Sequence, residues 1–308
     1  MRLIYIDQNI LGYLSEGKID LPARDNVEWV YSDEHLSEIE RSGMMKLLES
    51  IDILHARKII IERDAKNHLT NKCSLDPYRK AEDVYNEYLD TTGKIPVVSL
   101  DLPKLQAFLH GNKDAIQRAQ VAKDFEATIM SLLGDSLSLI NNKEMEKTFK
   151  DAVASIGNAL QSALNAAADS IKPIEKTRKL LAGIELSTID ETEGPVIDRI
   201  WELLGPKWGY SMMGQLFPSP QTGESTDVRF NNVVACYTAL NYLGYWPDSK
   251  ISNPSKIPGI NSDASHVGHA SYCSALLSED FRMCKKAKAI YQYLKTEADV
   301  YCVKISSR

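Results

Sequence analysis

The sequence opens Met-Arg-Leu-Ile-Tyr-Ile-Asp, a four-residue apolar run that ends abruptly in a carboxylate. Such a run is too short for a helix and suits a strand buried on both faces, with Asp7 at its C-terminal tip. The same grammar recurs along the chain. Glu28–Ser32 reads as a second strand, and Lys58–Ile61 as a third strand or a continuation of the preceding helix. Ala275–Ser278 and Val300–Ile305 read as two more near the end.

Helical patterns fill the gaps between these runs. They cover Asn9–Leu14, then Glu34 to about Leu54 with Ser32 or Asp33 as N-cap. Later come Arg229–Leu243, Asp263–Cys273 and the amphipathic Phe281–Leu294. Strands alternating with helices at this spacing predict a mostly parallel sheet with right-handed crossovers, an α/β fold.

The middle differs in character. From Leu102 to Leu186 apolar residues recur at helical spacing, with Ala-rich stretches such as Ala152–Ala168. Leu204–Asp227 is punctuated by Gly205, Pro206, Gly209, Gly214, Pro218, Pro220 and Gly223, and reads as one long loop. The expected organisation is a discontinuous α/β domain from residues 1–100 and 228–308. An α-helical insertion and loop would occupy 101–227.

Composition removes some functions. No stretch approaches the ~18 apolar residues of a membrane span, and Asp7 interrupts the first apolar run before a signal-peptide core forms. The five cysteines are scattered, odd in number and never form a C-x-x-C pair, which argues against a disulfide framework or thiolate zinc site and for a reducing cytoplasm. A net charge of −6 counts against coating nucleic acid by general electrostatics. It leaves open an enzyme that grips a few phosphates locally.

Four acids stand out by position: Asp7 after the first strand, Glu38 in the helix after the second, Asp263 at the start of a late helix, and Asp280 just past Ala275–Ser278. In open α/β sheets the site lies outside the carboxyl ends of the strands, where such acids converge. Clustered carboxylates raise one another's pKa unless a cation neutralises them, and hard oxygen ligands select Mg²⁺ or Mn²⁺. Singly, each acid has a plainer reading. Asp7, Asp263 or Asp280 can cap a helix, and Glu38, beside Asp33, Glu34 and Glu40, can line a solvated face, with Glu34 as its substitute if the register is displaced.

Ile4-Tyr5-Ile6-Asp7-Gln8-Asn9 resembles the opening Asp-x-Asn of PIN-domain nucleases. Val30-Tyr31-Ser32 followed by Glu38 resembles the second block of that family. Asp263 with His266 and Ala270, then Leu277-Ser278-Glu279-Asp280, resembles its closing block, with Ser278 where the family prefers threonine. The resemblance covers roughly residues 1–65 and 228–308; the central helices have no counterpart in a minimal PIN domain.

The resemblance implies a three-layer α/β/α domain in which Asp7, Glu38, Asp263 and Asp280 are catalytic and hold Mg²⁺ or Mn²⁺. Asn9, Ser278 and His266 would support them. The implied activity is hydrolysis of RNA, or of single-stranded DNA, in a toxin or defence role. Arg282, Lys285 and Lys286, in a basic run with Lys288, would position phosphates; an ordinary exposed helix face is the plainer reading. Trp208, Tyr210 and Phe217 would either stack on bases or pin their loop to the core. The insertion would serve a protein partner or a second copy. Two rivals remain: a non-catalytic scaffold, and a metal-dependent phosphatase with Asp7 as nucleophile. The phosphatase usually needs an aspartate where this chain has Asn9.

Overall fold

A computed structural model describes residues 1–21, 26–92, 106–107, 112, 123, 125–127, 129–130, 143–170, 185–189, 194–218 and 228–305. Six strands form one sheet: β1 (Arg2–Ile6), β2 (Val27–Tyr31), β3 (Arg57–Arg63), β4 (Leu69–Leu75), β5 (Ala275–Ser278) and β6 (Asp299–Cys302). Their order across the sheet is β4-β3-β2-β1-β5-β6. Every neighbouring pair is parallel except β3 and β4. The expected mostly parallel α/β architecture is therefore present.

The short apolar runs are explained by burial on both faces. Tyr5, Val30, Ile59 and Leu276 join one apolar core, while Ile6 and Tyr31, with Leu277 beside them, join a second. Tyr5 and Ile6, Val30 and Tyr31, and Leu276 and Leu277 are consecutive positions, so they point to opposite faces. The second core is built with α1 (Gln8–Ser15), α2 (Asp33–Ser42), α3 (Lys46–Ile53) and α4 (Ala81–Thr92). The first takes residues from α6 (Val196–Trp208), α7 (Tyr210–Leu216), α8 (Arg229–Leu243), α9 (Ile257–Ala270) and α10 (Phe281–Tyr293). A long helix, α5 (Lys143–Ser170), contains the Ala-rich stretch. Among the described residues no helix is long and apolar enough to cross a membrane.

Three departures from the sequence reading have local causes. The single helix expected over Glu34–Leu54 is two, because Gly43 adopts φ 68, a left-handed conformation that terminates α2. Leu204–Asp227 is not one loop. Pro206 sits inside α6, and the break falls at Gly209, whose φ of 83 permits the turn into α7. Positions 219–227 lie outside the described residues. Asp263 does not open a helix, since α9 starts at Ile257 and places Asp263 inside it.

The chain divides into two compact units. One comprises Met1–Leu89, Leu181–Asp248 and Ile260–Arg308; the other comprises Asp90–Leu180 and Ser249–Gly259. The first therefore includes α6 and α7, whose Val196, Ile200, Leu204, Met213 and Phe217 are core residues. That stretch is thus part of the first unit and not of the insertion expected over 101–227.

Candidate active site

The strand order turns at β1: β2 and β3 lie to one side, β5 and β6 to the other. Ligands of open α/β sheets bind at such a switch point, beyond the C-terminal strand ends. Here that place lies between the tips of β1 and β5, and Asp7 follows one tip while Ser278 ends the other.

Asp7 is 3% exposed, and its backbone N–H donates to Leu277 O at 2.9 Å. It occupies the N-cap position of α1, yet its carboxylate accepts no capping bond, so the plain capping reading does not explain the side chain. Oδ2 instead accepts from Ser278 Oγ at 2.8 Å and from Asn9 Nδ2 at 3.3 Å. Ser278 Oγ also accepts from the Asp280 N–H at 3.0 Å, and Asp280 Oδ1 caps α10 through the Met283 N–H at 2.8 Å. One buried hydroxyl thus links the two tips. Next door, Tyr13 donates to Glu279.

The other wall comes from α2 and α9. Glu38 Oε2 meets His266 Nε2 at 3.1 Å, and Glu38 lies 3.6 Å from Arg41. Glu34, the alternative to Glu38, accepts from Ser262 Oγ at 2.6 Å, and Arg41 donates to the same hydroxyl at 2.5 Å. Beneath them His266 Nδ1 lies 2.8 Å from Tyr5 Oη, which in turn is 2.7 Å from Ser32 Oγ. His35 accepts from the Ser32 N–H through Nδ1 at 3.1 Å and donates through Nε2 to Ile6 O at 2.6 Å. In this capping box histidine stands where Glu or Gln is usual.

These bonds fix the charges. Burial works against protonated His266, but its bond to Glu38 and the charges of Glu38 and Asp7 push it up to about 9. Charged at neutral pH, it donates from both nitrogens, to Glu38 and to Tyr5. His35 is held well below the usual histidine range by burial and by His266. His269, which donates from Nδ1 to Ser265 O at 2.9 Å and packs on Phe230, falls to about 4, chiefly through burial.

Burial raises the Asp7 carboxyl, and Glu38 and Asp280 add to the effect against His266 and the Ser278 bond. Asp263 is held well above the usual carboxylate range by burial and by Asp248, Asp7 and Asp280. Glu38 is drawn down: burial would raise it, but His266 and Arg41 outweigh that. Asp7 thus lies within electrostatic reach of Glu38 and Asp280, and Asp263 within reach of Asp7 and Asp280, while Asp263 has no hydrogen-bond or ion-pair partner among the described residues.

The basic run does not stay together. Arg282 is exposed and Lys285 half-buried, but Lys286 is 0% exposed and so does not belong to a surface strip. Its ammonium donates to Asp248 Oδ1 at 2.6 Å and Asn241 Oδ1 at 2.8 Å, and sits 4.0 Å from the Tyr237 ring centroid. Asn241 also donates to Asp248 Oδ2 at 2.7 Å. Asp248, Asn241, Tyr5 and His35 are not evident as site residues in the sequence, whereas Ser32 is the N-cap it offers. Only the helical phase of Lys286, between Met283 and Ile290, hinted at burial. Phe217 is buried against Tyr293, whereas Tyr210 is 61% exposed beside Trp201. The Trp208 side chain lies outside the described residues.

Comparison with protein families, curated proteins and solved structures returns no match. The residues must therefore speak for any metal. Their donor chemistry fits a hard divalent cation: oxygen ligands, an Asp263 without a hydrogen bond or ion pair among the described residues, and an Asp263 carboxyl raised partly by the charges of Asp7 and Asp280. As arranged, however, no group of three or more His, Cys, Asp or Glu side chains among the described residues is gathered to hold one. Asp280 is engaged in its cap and Glu38 in its His266 bond.

Proposed function

We propose that the chain is a metal-dependent nuclease of PIN-like design, hydrolysing phosphodiester bonds of RNA or single-stranded DNA. The observation that carries this reading is the placement of Asp7 and Asp280 about the single Ser278 hydroxyl at the switch point of a parallel sheet, with Asp263 near enough for the charges of both to raise it. Acids held this way are poised for a cation. Asp7, Asp263 and Asp280 would hold Mg²⁺ or Mn²⁺. A cation there supplies positive charge against the scissile phosphate and acidifies water.

The chain's own residues do the positioning. Ser278 and Asn9 both hold one oxygen of Asp7, Oδ2. His266 and Arg41 orient Glu38, which acts at the edge of the cluster as a positioning acid. Tyr5 and Ser32 brace His266 from below. The test is to incubate end-labelled RNA and single-stranded DNA with Mn²⁺, with and without chelator. Cleavage that disappears with chelator and in Asp7→Asn supports the reading; cleavage unchanged in Asp7→Asn overturns the site.

A further inference from the structure

Immediately after Asp280 the chain exposes an aromatic ring at the first position of α10. Phe281 is 46% exposed, unusual for a phenylalanine beside an acid cluster. The Trp246 ring meets it edge-on, with centroids 5.0 Å apart and planes at 86°. Trp246 itself is half-buried and packs partly against the core. Its φ of 43 is a left-handed conformation that bulky residues rarely adopt. The backbone thus takes an uncommon turn that sets this indole against Phe281.

Two cations flank the pair. Arg282 is exposed, and its Nη1 donates to Pro247 O at 3.2 Å, which ties its guanidinium beside Trp246. Lys285 Nζ lies 5.4 Å from the Phe281 ring centroid. In a chain of net charge −6, the exposed Arg282 beside this ring is a charge that can meet a phosphate.

We propose that Phe281, braced by Trp246, is a stacking platform for an unpaired base, with Arg282 receiving the adjoining phosphate. This rests on reading the neighbouring acids as a nuclease site, and it names the substrate class as single-stranded nucleic acid. The selectivity follows from geometry. Every base offers a π-face, but within a duplex those faces are already stacked on one another, so only an unpaired base is free to occupy Phe281.

The experiment uses the full chain at fixed salt in EDTA, so that binding is read without cleavage. Fluorescence anisotropy compares a labelled single-stranded 12-mer, its duplex, and an abasic chain with the same phosphates. The expected result is that the base-bearing strand binds about tenfold tighter than the other two, within the range for one stacked base. Phe281→Leu, which keeps bulk but not the π-face, abolishes that margin, and Phe281→Trp retains it. Arg282→Glu weakens base-bearing and abasic strands alike.

The proposal is overturned if folded Phe281→Leu binds like the parent. It is also overturned if the abasic chain binds as tightly as the base-bearing strand and heparin displaces both equally, the behaviour of a plain polyanion surface. The two readings fail separately. Absence of Mn²⁺-dependent cleavage with base-dependent binding intact removes the nuclease and keeps the platform. Cleavage without any base dependence does the reverse.

Discussion

Replacing His266 by glutamine removes a buried charge while keeping a side chain able to donate to Glu38. In the folded protein His266 titrates at about 9, against an ordinary 6.5. A raised folded pKa means the folded state holds the proton more tightly. The resulting stability is fully present below pH 6.5 and is lost as pH climbs through 9. The residue is 1% exposed, so solvent screening does not erode the effect, and the gap corresponds to on the order of 3 kcal/mol. His35 and His269 are shifted the other way and act on the acid side of 6.5, outside this window. Urea unfolding of parent and His266→Gln at intervals from pH 6 to pH 10 gives the difference curve. The advantage of the parent should shrink by roughly 3 kcal/mol across that range, or about 6–12 °C in Tm at 2–4 °C per kcal/mol. A difference that stays flat from pH 6 to pH 10 refutes the charged His266–Glu38 pair.

Lys286→Met should cost about 3–5 kcal/mol, because it strips the largely buried Asp248 carboxylate of its cation, and Lys286→Met with Asp248→Asn should recover most of it. Chemical denaturation of the two variants checks this; equal losses in both would contradict the pairing. Asp263→Asn should raise Tm at pH 7 and leave it unchanged near pH 3. Its raised carboxyl penalises folding only above the ordinary carboxylate pKa, where the unfolded chain ionises first. Ser278→Ala removes a donor to Asp7 and the acceptor of the Asp280 N–H, and should destabilise by about 2–4 kcal/mol in urea and slow Mn²⁺-dependent cleavage.

Parts of this molecule are legible in the sequence because local pattern and fold agree. Leu3–Ile6 and Ala275–Ser278 are central strands buried on both faces, so each is an uninterrupted apolar run, and the polar residue that ends or follows it marks the strand tip. α8 matches Arg229–Leu243 because Gly244, at φ 96, stops it. β4 was invisible. Leu69–Leu75 is a half-exposed edge strand carrying Asn71 and Lys72, and only pairing with β3 makes it a strand.

The site divides in the same way. Asp7 and Ser278 sit at the ends of readable strands, so their meeting follows from the topology. Asp248 and Lys286 meet across 38 residues in a contact set wholly by tertiary packing. Tyr5 looks like another apolar strand residue until His266 and Ser32 are placed around its hydroxyl. Asp263 appeared to open a helix because Pro258 and Gly259 look like loop residues, yet α9 begins before them.

The most direct test of the central claim is to count free Mn²⁺ by room-temperature electron paramagnetic resonance while titrating it into the protein in metal-free buffer. The account predicts saturable uptake by the parent that is lost in Asp7→Asn and in Asp263→Asn, with both variants folded. Uptake identical in all three proteins, or none in the parent, would contradict it.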